Sequence, residues 1–311
     1  GPGAPELLTL KAIRALQSAD IILYDDLVSP GVLEFARREA KRMLVGKTGY
    51  GPSVKQGEIN ALIVSLALQG KHVVRLKGGD PGIFGRAGEE IEACRAANIP
   101  VAIVPGISAA QGAAASLGLS LTHRDHARRL QFVTGHSRKG ELPDDLDWRA
   151  MADPAASTVI YMARATLPGF RAKALSAGLD PLTPAVAVLS ATRPDEMRIA
   201  ATIATLPERL AELSQPGPVL VLLGHAFGAA LVAAQTAAGR RRARGRSEQE
   251  SGRISKDKCG GAACSLRHQI FGTGSLPCPI VAISGFQYVS FVIQNVAERP
   301  CGCFARIATE P

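Results

Sequence analysis

Four buried-looking apolar segments of this sequence end in polar residues able to handle charge. Asp25 follows Ile21-Ile22-Leu23-Tyr24, and Lys47 follows Met43-Leu44-Val45-Gly46. Asp80 follows a strand-like run that breaks at Gly78-Gly79, and Ser108 follows Val104-Pro105-Gly106-Ile107. A carboxylate so placed can take a proton, and an ammonium can give one or hold a carboxylate substrate. Either is also ordinary at a solvated surface, and position alone leaves the two readings open. Paired glycines at a strand end let backbone approach a ligand where any Cβ would obstruct it. No Gly-Lys-Ser/Thr follows, so this is not a nucleotidase phosphate loop. The chain also lacks a Gly-x-Ser-x-Gly elbow, a dinucleotide fingerprint and a His-Glu-x-x-His pair. His123 and His126 flank Asp125 in a polar connector with no fourth ligand type nearby, and no metal is expected.

The elements that must position these residues alternate regularly. Apolar runs over 21–24, 43–45, 72–76 and 101–104 read as strands. Helical periodicity falls over 5–19, 32–38, 59–69, 88–97 and from Ser108 to Leu117. Strands alternating with helices imply a mostly parallel sheet covered on both faces, whose carboxyl edge gathers the polar residues. Beyond a connector at 118–128 the pattern changes. Strands over 130–133, 158–162, 185–189, 198–203 and 219–223 surround helices over 167–177 and 206–213, as in a mixed sheet. The expected fold is therefore α/β with two domains, 1–118 and 119–228, followed by an atypical basic tail over 229–311.

Composition supports that division. Of a net charge of +9, residues 231–311 carry 11 Lys/Arg against 5 Asp/Glu. The basic balance is thus mostly a property of the tail, and it argues for no nucleic-acid partner. Dense like charge over 240–246 beside low apolar content favours disorder of the 229–311 tail, in which the stretch 280–296 has strand character without an evident partner. Cys94 stands alone in the first 230 residues, while Cys259, Cys264, Cys278, Cys301 and Cys303 form no disulfide or zinc spacing. Neither a signal peptide nor a membrane span is legible, so a cytoplasmic protein without a membrane partner is expected.

Several segments together carry a resemblance: Tyr24-Asp25-Asp26-Leu27-Val28-Ser29, Val45-Gly46-Lys47, Arg75-Leu76-Lys77-Gly78-Gly79-Asp80-Pro81, Phe84-Gly85-Arg86, Val104-Pro105-Gly106-Ile107-Ser108-Ala109 and Leu121-Thr122-His123-Arg124-Asp125. In this order and spacing the chain resembles the uroporphyrinogen-III C-methyltransferases of the tetrapyrrole methylase family, over residues 1 to about 228. The resemblance implies a two-domain tetrapyrrole-methylase-like fold, usually a homodimer, with S-adenosyl-L-methionine in the interdomain cleft. It implies two methyl transfers to uroporphyrinogen III, giving precorrin-1 and then precorrin-2 for sirohaem or cobalamin. It matches Asp25 to the family's proton acceptor and Lys47 to its donor. Pro2, Gly78, Gly79, Asp80, Ile83, Ser108, Ala109, Met162 and Ala191 match positions lining the cofactor site. Lys47, Arg75, Arg86, Arg124, Arg128 and Arg164 are candidates for the substrate's carboxylates. Departures are Gly82 for an aromatic residue, Ala87 for glycine, and Leu189-Ser190 ahead of Ala191-Thr192. The family's first strand has no counterpart here, which implies a slot in the first sheet. The tail has no counterpart either, and its removal is expected to leave methyl transfer intact.

Overall fold

Short apolar strands are stable only when both faces are covered, and the first sheet is built that way. The computed structural model describes residues 1–46, 55–137, 139–236 and 290–293. β1 (Ile21–Tyr24) runs parallel to β2 (Lys41–Leu44) on one side and β3 (Val73–Leu76) on the other. Side chains alternate between faces. Ile22, Val74 and Leu76 pack with Ala12 and Leu16 of α1 (Leu10–Ser18). Ile21, Leu23 and Val73 pack with Ile63 of α3 (Gln56–Leu68) and Ile91 and Cys94 of α4 (Ala87–Ala96). Each fully buried aliphatic side chain contributes about 1.5–3 kcal/mol, and covering on both faces explains why these strands read as unbroken apolar runs. Helix α1 starts later than its periodicity suggests, because the Ala12 N–H donates to Thr9 Oγ1 at 2.8 Å and so caps it there. A 3₁₀ turn at Pro5–Leu7 precedes it, and a single-turn helix, α2 (Pro30–Leu33), follows β1.

The slot expected in this sheet is filled from the tail. β4 (Val101–Val104) does not touch β3 as a neighbouring strand. β10 (Ser290–Ile293) lies between them, antiparallel to both, with Val292 opposite Val74 and Ala102. The strand-like stretch that had no visible partner in the sequence thus has two. β3 and β4 would otherwise each present a row of unpaired backbone groups beside the core, and an extended segment of either direction satisfies them.

After β4 the chain enters α5 (Ala109–Leu117), which ends on Gly118 at φ +66° and forms the seam between the domains. Its fully buried Ala110 and Ala113 pack against Val159, Val186 and Leu222 of the second sheet. That sheet contains β5 (Arg129–Thr134), β6 (Ala156–Tyr161), β7 (Pro184–Leu189), β8 (Met197–Thr202) and β9 (Val219–Leu223) in the order β5-β6-β9-β7-β8. Only β5 and β6 pair in parallel, and the rest are antiparallel. Its far face is covered by α7 (Leu167–Ser176) and α8 (Leu206–Ala211) around Phe170, Ile160 and Leu189. A four-residue helix, α6 (Trp148–Met151), is too short to show periodicity in the sequence; the Asp147 carboxylate caps it by accepting from the Arg149 and Ala150 N–H groups. Among the described residues no helix is long and apolar enough to cross a membrane.

Candidate active site

The carboxyl edge of the first sheet opens into a cavity of about 360 Å³ shared by both domains. That is within the range of small-ligand and cofactor sites. Asp25, Gly78, Gly79, Asp80, Ile83, Ser108, Ala109, Met162 and Ala191, far apart in sequence, all line it. Pro2 does not; it sits behind, where its Cβ lies 2.6 Å from a Cβ built on Gly112 of α5. Lys47 lies outside the described residues.

Each side chain is aimed by its element. Gly79 adopts φ +87°, and a Cβ there would come 2.8 Å from Gly1 Cα and 3.3 Å from the Ile107 carbonyl oxygen. Only glycine combines that conformation with that approach. Asp80 holds the loop rather than facing outward: Oδ1 accepts from the Gly82 N–H at 2.8 Å and Oδ2 from the Gly106 N–H at 2.6 Å, tying the β3 and β4 loops together. Ser108 caps α5 by a reciprocal pair of bonds with Gln111, so the amino end of α5 opens on the cavity. Phe84, Arg86 and Met162 line the cavity with positive φ, and Ser190 and Thr192, on either side of the lining residue Ala191, also have positive φ. Left-handed backbone at non-glycine residues is uncommon and gathers at functional sites.

Asp25 is anchored from beneath. Arg75, only 2% exposed, donates from Nη2 to Asp25 Oδ1 at 2.5 Å and from Nε to Glu90 Oε1 at 3.0 Å. Lys77 Nζ donates to the same Glu90 oxygen at 3.0 Å. Burial, with the Arg75 charge beside it, pulls the Lys77 ammonium below the usual lysine range, although Glu90 opposes this. Tyr161, at the end of β6, accepts from the Ala110 N–H at 3.3 Å, and its ring lies 5.1 Å from that of Phe84, so it spans the two domains. Burial pushes its hydroxyl above the usual tyrosine range.

The arginines proposed for carboxylate recognition separate. Arg75 is spent within the fold, and Arg164 donates to the Gln215 and Leu213 carbonyl oxygens. Arg86 lines the cavity and pairs with Glu89. Arg128 donates to the Arg124 carbonyl oxygen in an exposed connector. There the His123 and His126 rings stack at 4.5 Å, and among the described residues no cluster of His, Cys, Asp and Glu is placed to hold a metal. Sequence reasoning passed over Lys77, Glu90, Gln56 and Tyr161 as site residues. The usable signal was charge inside apolar pattern, since Arg75 sits in the middle of a strand buried on both faces.

The sequence model of the family Tetrapyrrole (Corrin/Porphyrin) Methylases matches residues 1–207. The chain is 46% identical over 228 residues to the siroheme synthase of Methylococcus capsulatus, covering 73% of this chain and 48% of that protein. It is 46% identical over 225 residues to that of Azotobacter vinelandii, covering 72% and 48%. It thus spans about half the length of these relatives. Among solved structures, the uroporphyrin-III C-methyl transferase of Thermus thermophilus, in complex with S-adenosyl homocysteine, superposes with a TM-score of 0.63 at 37% identity, covering 74% of this chain and 96% of that one. A cobalt precorrin-4 methyltransferase superposes at 0.65 with 25% identity, covering 73% and 92%. With the family matched over most of its described residues, the chain belongs to the tetrapyrrole (corrin/porphyrin) methylases.

Proposed function

We propose that this chain methylates two ring carbons of uroporphyrinogen III in turn, giving precorrin-1 and then precorrin-2, with S-adenosyl-L-methionine as donor. The observation that carries this reading is the convergence of Asp25, the Gly78–Gly79 backbone and Met162 on one cavity between the domains. The cavity suits the cofactor. Val188, Ala191, Val219 and Leu220 offer an apolar wall for an adenine ring, and the backbone at Gly78–Gly79 is stripped of side chains along the opposite rim. Bound there, S-adenosyl-L-methionine supplies a sulfonium-activated methyl group, whose C–S bond breaks with its electron pair left on sulfur.

The work left to the chain is alignment and proton removal. Holding a nucleophilic ring carbon in line with the methyl group and excluding water can supply roughly 7–11 kcal/mol of a barrier. The new C–C bond uses the ring's electron pair and leaves a cationic ring, which is relieved when Asp25 takes a proton from it. A placed base typically contributes about 10²–10⁴-fold. Arg75 keeps that carboxylate oriented, and Lys47 is the proposed donor by its match to the family. Arg86 at the cavity rim is placed to meet substrate carboxylates. The name shared by the relatives supports sirohaem as the end product.

Purified chain, S-adenosyl-L-methionine and uroporphyrinogen III should generate the precorrin-2 chromophore. Asp25→Asn should lower kcat about 10²–10⁴-fold while S-adenosylhomocysteine still binds. Cofactor binding without turnover by the unaltered chain would overturn the enzymatic reading in favour of a binding module.

A further inference from the structure

Glu90 is a carboxylate with no exposure at all, set in the first turn of α4 directly after the glycine loop. Such a group is costly to bury unless it is paired and hydrogen-bonded. Its Oε1 accepts from Arg75 Nε at 3.0 Å, Lys77 Nζ at 3.0 Å and Gln56 Nε2 at 3.1 Å, and its Oε2 lies 2.9 Å from Lys77 Nζ. Arg75 carries the contact onward. Its Nη1 donates to the Leu23 and Leu76 carbonyl oxygens at 3.3 and 3.1 Å, and its Nη2 to Asp25 Oδ1. Two cations and two carboxylates therefore form one chain of contacts running from the helix under β3 to the cavity. Arg75 and Lys77 also line the cavity, but Asp25, with a side chain 27% exposed, is by far the most open of the four.

We propose that Glu90 is a positioning residue of this site: by anchoring Arg75 from below and balancing Arg75 and Lys77, it holds the Asp25 carboxylate in the orientation a proton acceptor needs. The alternation of β3 makes this necessary. Arg75 points to the same face as Val73, into the packing of α3 and α4, and without Glu90 its guanidinium would have Asp25 as its one carboxylate among the described residues. Asp25 would then be drawn inward to neutralise a buried cation and lose its aim at the cavity. The inference rests on the reading of Asp25 as the base.

The test is a double-mutant cycle on methyl transfer to uroporphyrinogen III, with unaltered chain, Glu90→Gln, Asp25→Asn and the combination. Glu90→Gln is expected to lower kcat by about tenfold or more, because displacement of a catalytic group by about 1 Å can cost 10²-fold. KM for both substrates should stay within about threefold. In the Asp25→Asn background the same change should cost nothing further, since residues acting as one unit are not additive. If Glu90→Gln fails to fold, Glu90→Gln with Lys77→Met replaces it, because removing a buried pair together is better tolerated than removing one partner. Equal losses in both backgrounds, or a loss confined to KM, would overturn the inference and leave the function standing. An unaltered chain without methyl transfer would overturn the function and this inference with it.

Discussion

Gly79 occupies a left-handed conformation against the backbone of Gly1 and Ile107, so its side chain is excluded twice over. Forcing an L-residue into such backbone costs about 1–2 kcal/mol before any clash. Gly79→Ala should therefore weaken S-adenosylhomocysteine binding about tenfold, a difference calorimetry resolves; unchanged affinity would remove this loop from the cofactor site. Asp20, at the turn into β1, has a different task. Its carboxyl is held below the ordinary 3.8 chiefly by the His72 N–H, which donates to Oδ2 at 2.8 Å, with Arg37 adding to the effect against the opposing cost of burial. A depressed carboxylate pKa contributes stability that is complete above the unfolded value and lost as pH falls through the folded one. Asp20→Asn should cost about 1 kcal/mol by urea denaturation at pH 6, small because the side chain is over a third exposed. The gap should narrow as pH is lowered towards 3. A gap of constant size would assign the effect to packing instead of charge.

At the scale of elements, the site depends on loops that are tied to each other more than on the helices behind them. Thr192 Oγ1 accepts from the Gly3 and Ala4 N–H groups at 2.8 and 3.0 Å, and Arg193 Nη2 donates to the Leu27 carbonyl oxygen at 2.7 Å. These bonds clasp the second domain onto residues 3–4 and, through Leu27, onto the loop that carries Asp25. Thr192→Val keeps the shape and removes the acceptor, leaving the Ala4 N–H short of a partner at about 1–3 kcal/mol, while the Gly3 N–H keeps the Ala191 carbonyl oxygen at 2.9 Å. The expected result is a raised KM for S-adenosyl-L-methionine with kcat little changed. A fall in kcat alone would contradict a clasp. Helix α5 offers a comparison, since Ser108→Ala removes its cap and should cost about 1 kcal/mol of stability.

For the whole molecule the decisive element is β10. A tail without a structural role would be dispensable, which is how the sequence reads. With Ser290–Ile293 seated between β3 and β4, a chain ending at residue 236 would expose two strand edges in the middle of the first sheet. Domains are stable by only about 5–15 kcal/mol, so that loss is large. The truncated chain should melt at a lower temperature and show faster amide exchange at Val74 and Ala102 than the full chain. Equal protection in both would show that the strand is dispensable and restore the simpler expectation for the tail.

Much of this protein is determined locally. The alternation of Ile21, Ile22 and Leu23, the Pro and Gly breaks at strand ends and the cap at Ser108 are short-range signals. They were enough to place the sheets and the edge that carries Asp25 and Gly78–Gly79, and the motif order was enough for the family. What the tertiary structure alone decided depends on groups distant in sequence. A buried charge can be noticed within a strand, but its partner cannot: Arg75 meets Glu90 through the packing of a strand on a helix, and Asp25 through the pairing of β3 with β1. Asp80 lines the cavity as its motif suggests, but its bonds to the Gly82 and Gly106 N–H groups appear only when the β3 and β4 loops meet. The identity of the strand beside β3 was the least legible of all. Backbone pairing is almost indifferent to side chains, so a segment some 200 residues away can occupy a place that no local pattern assigns to it.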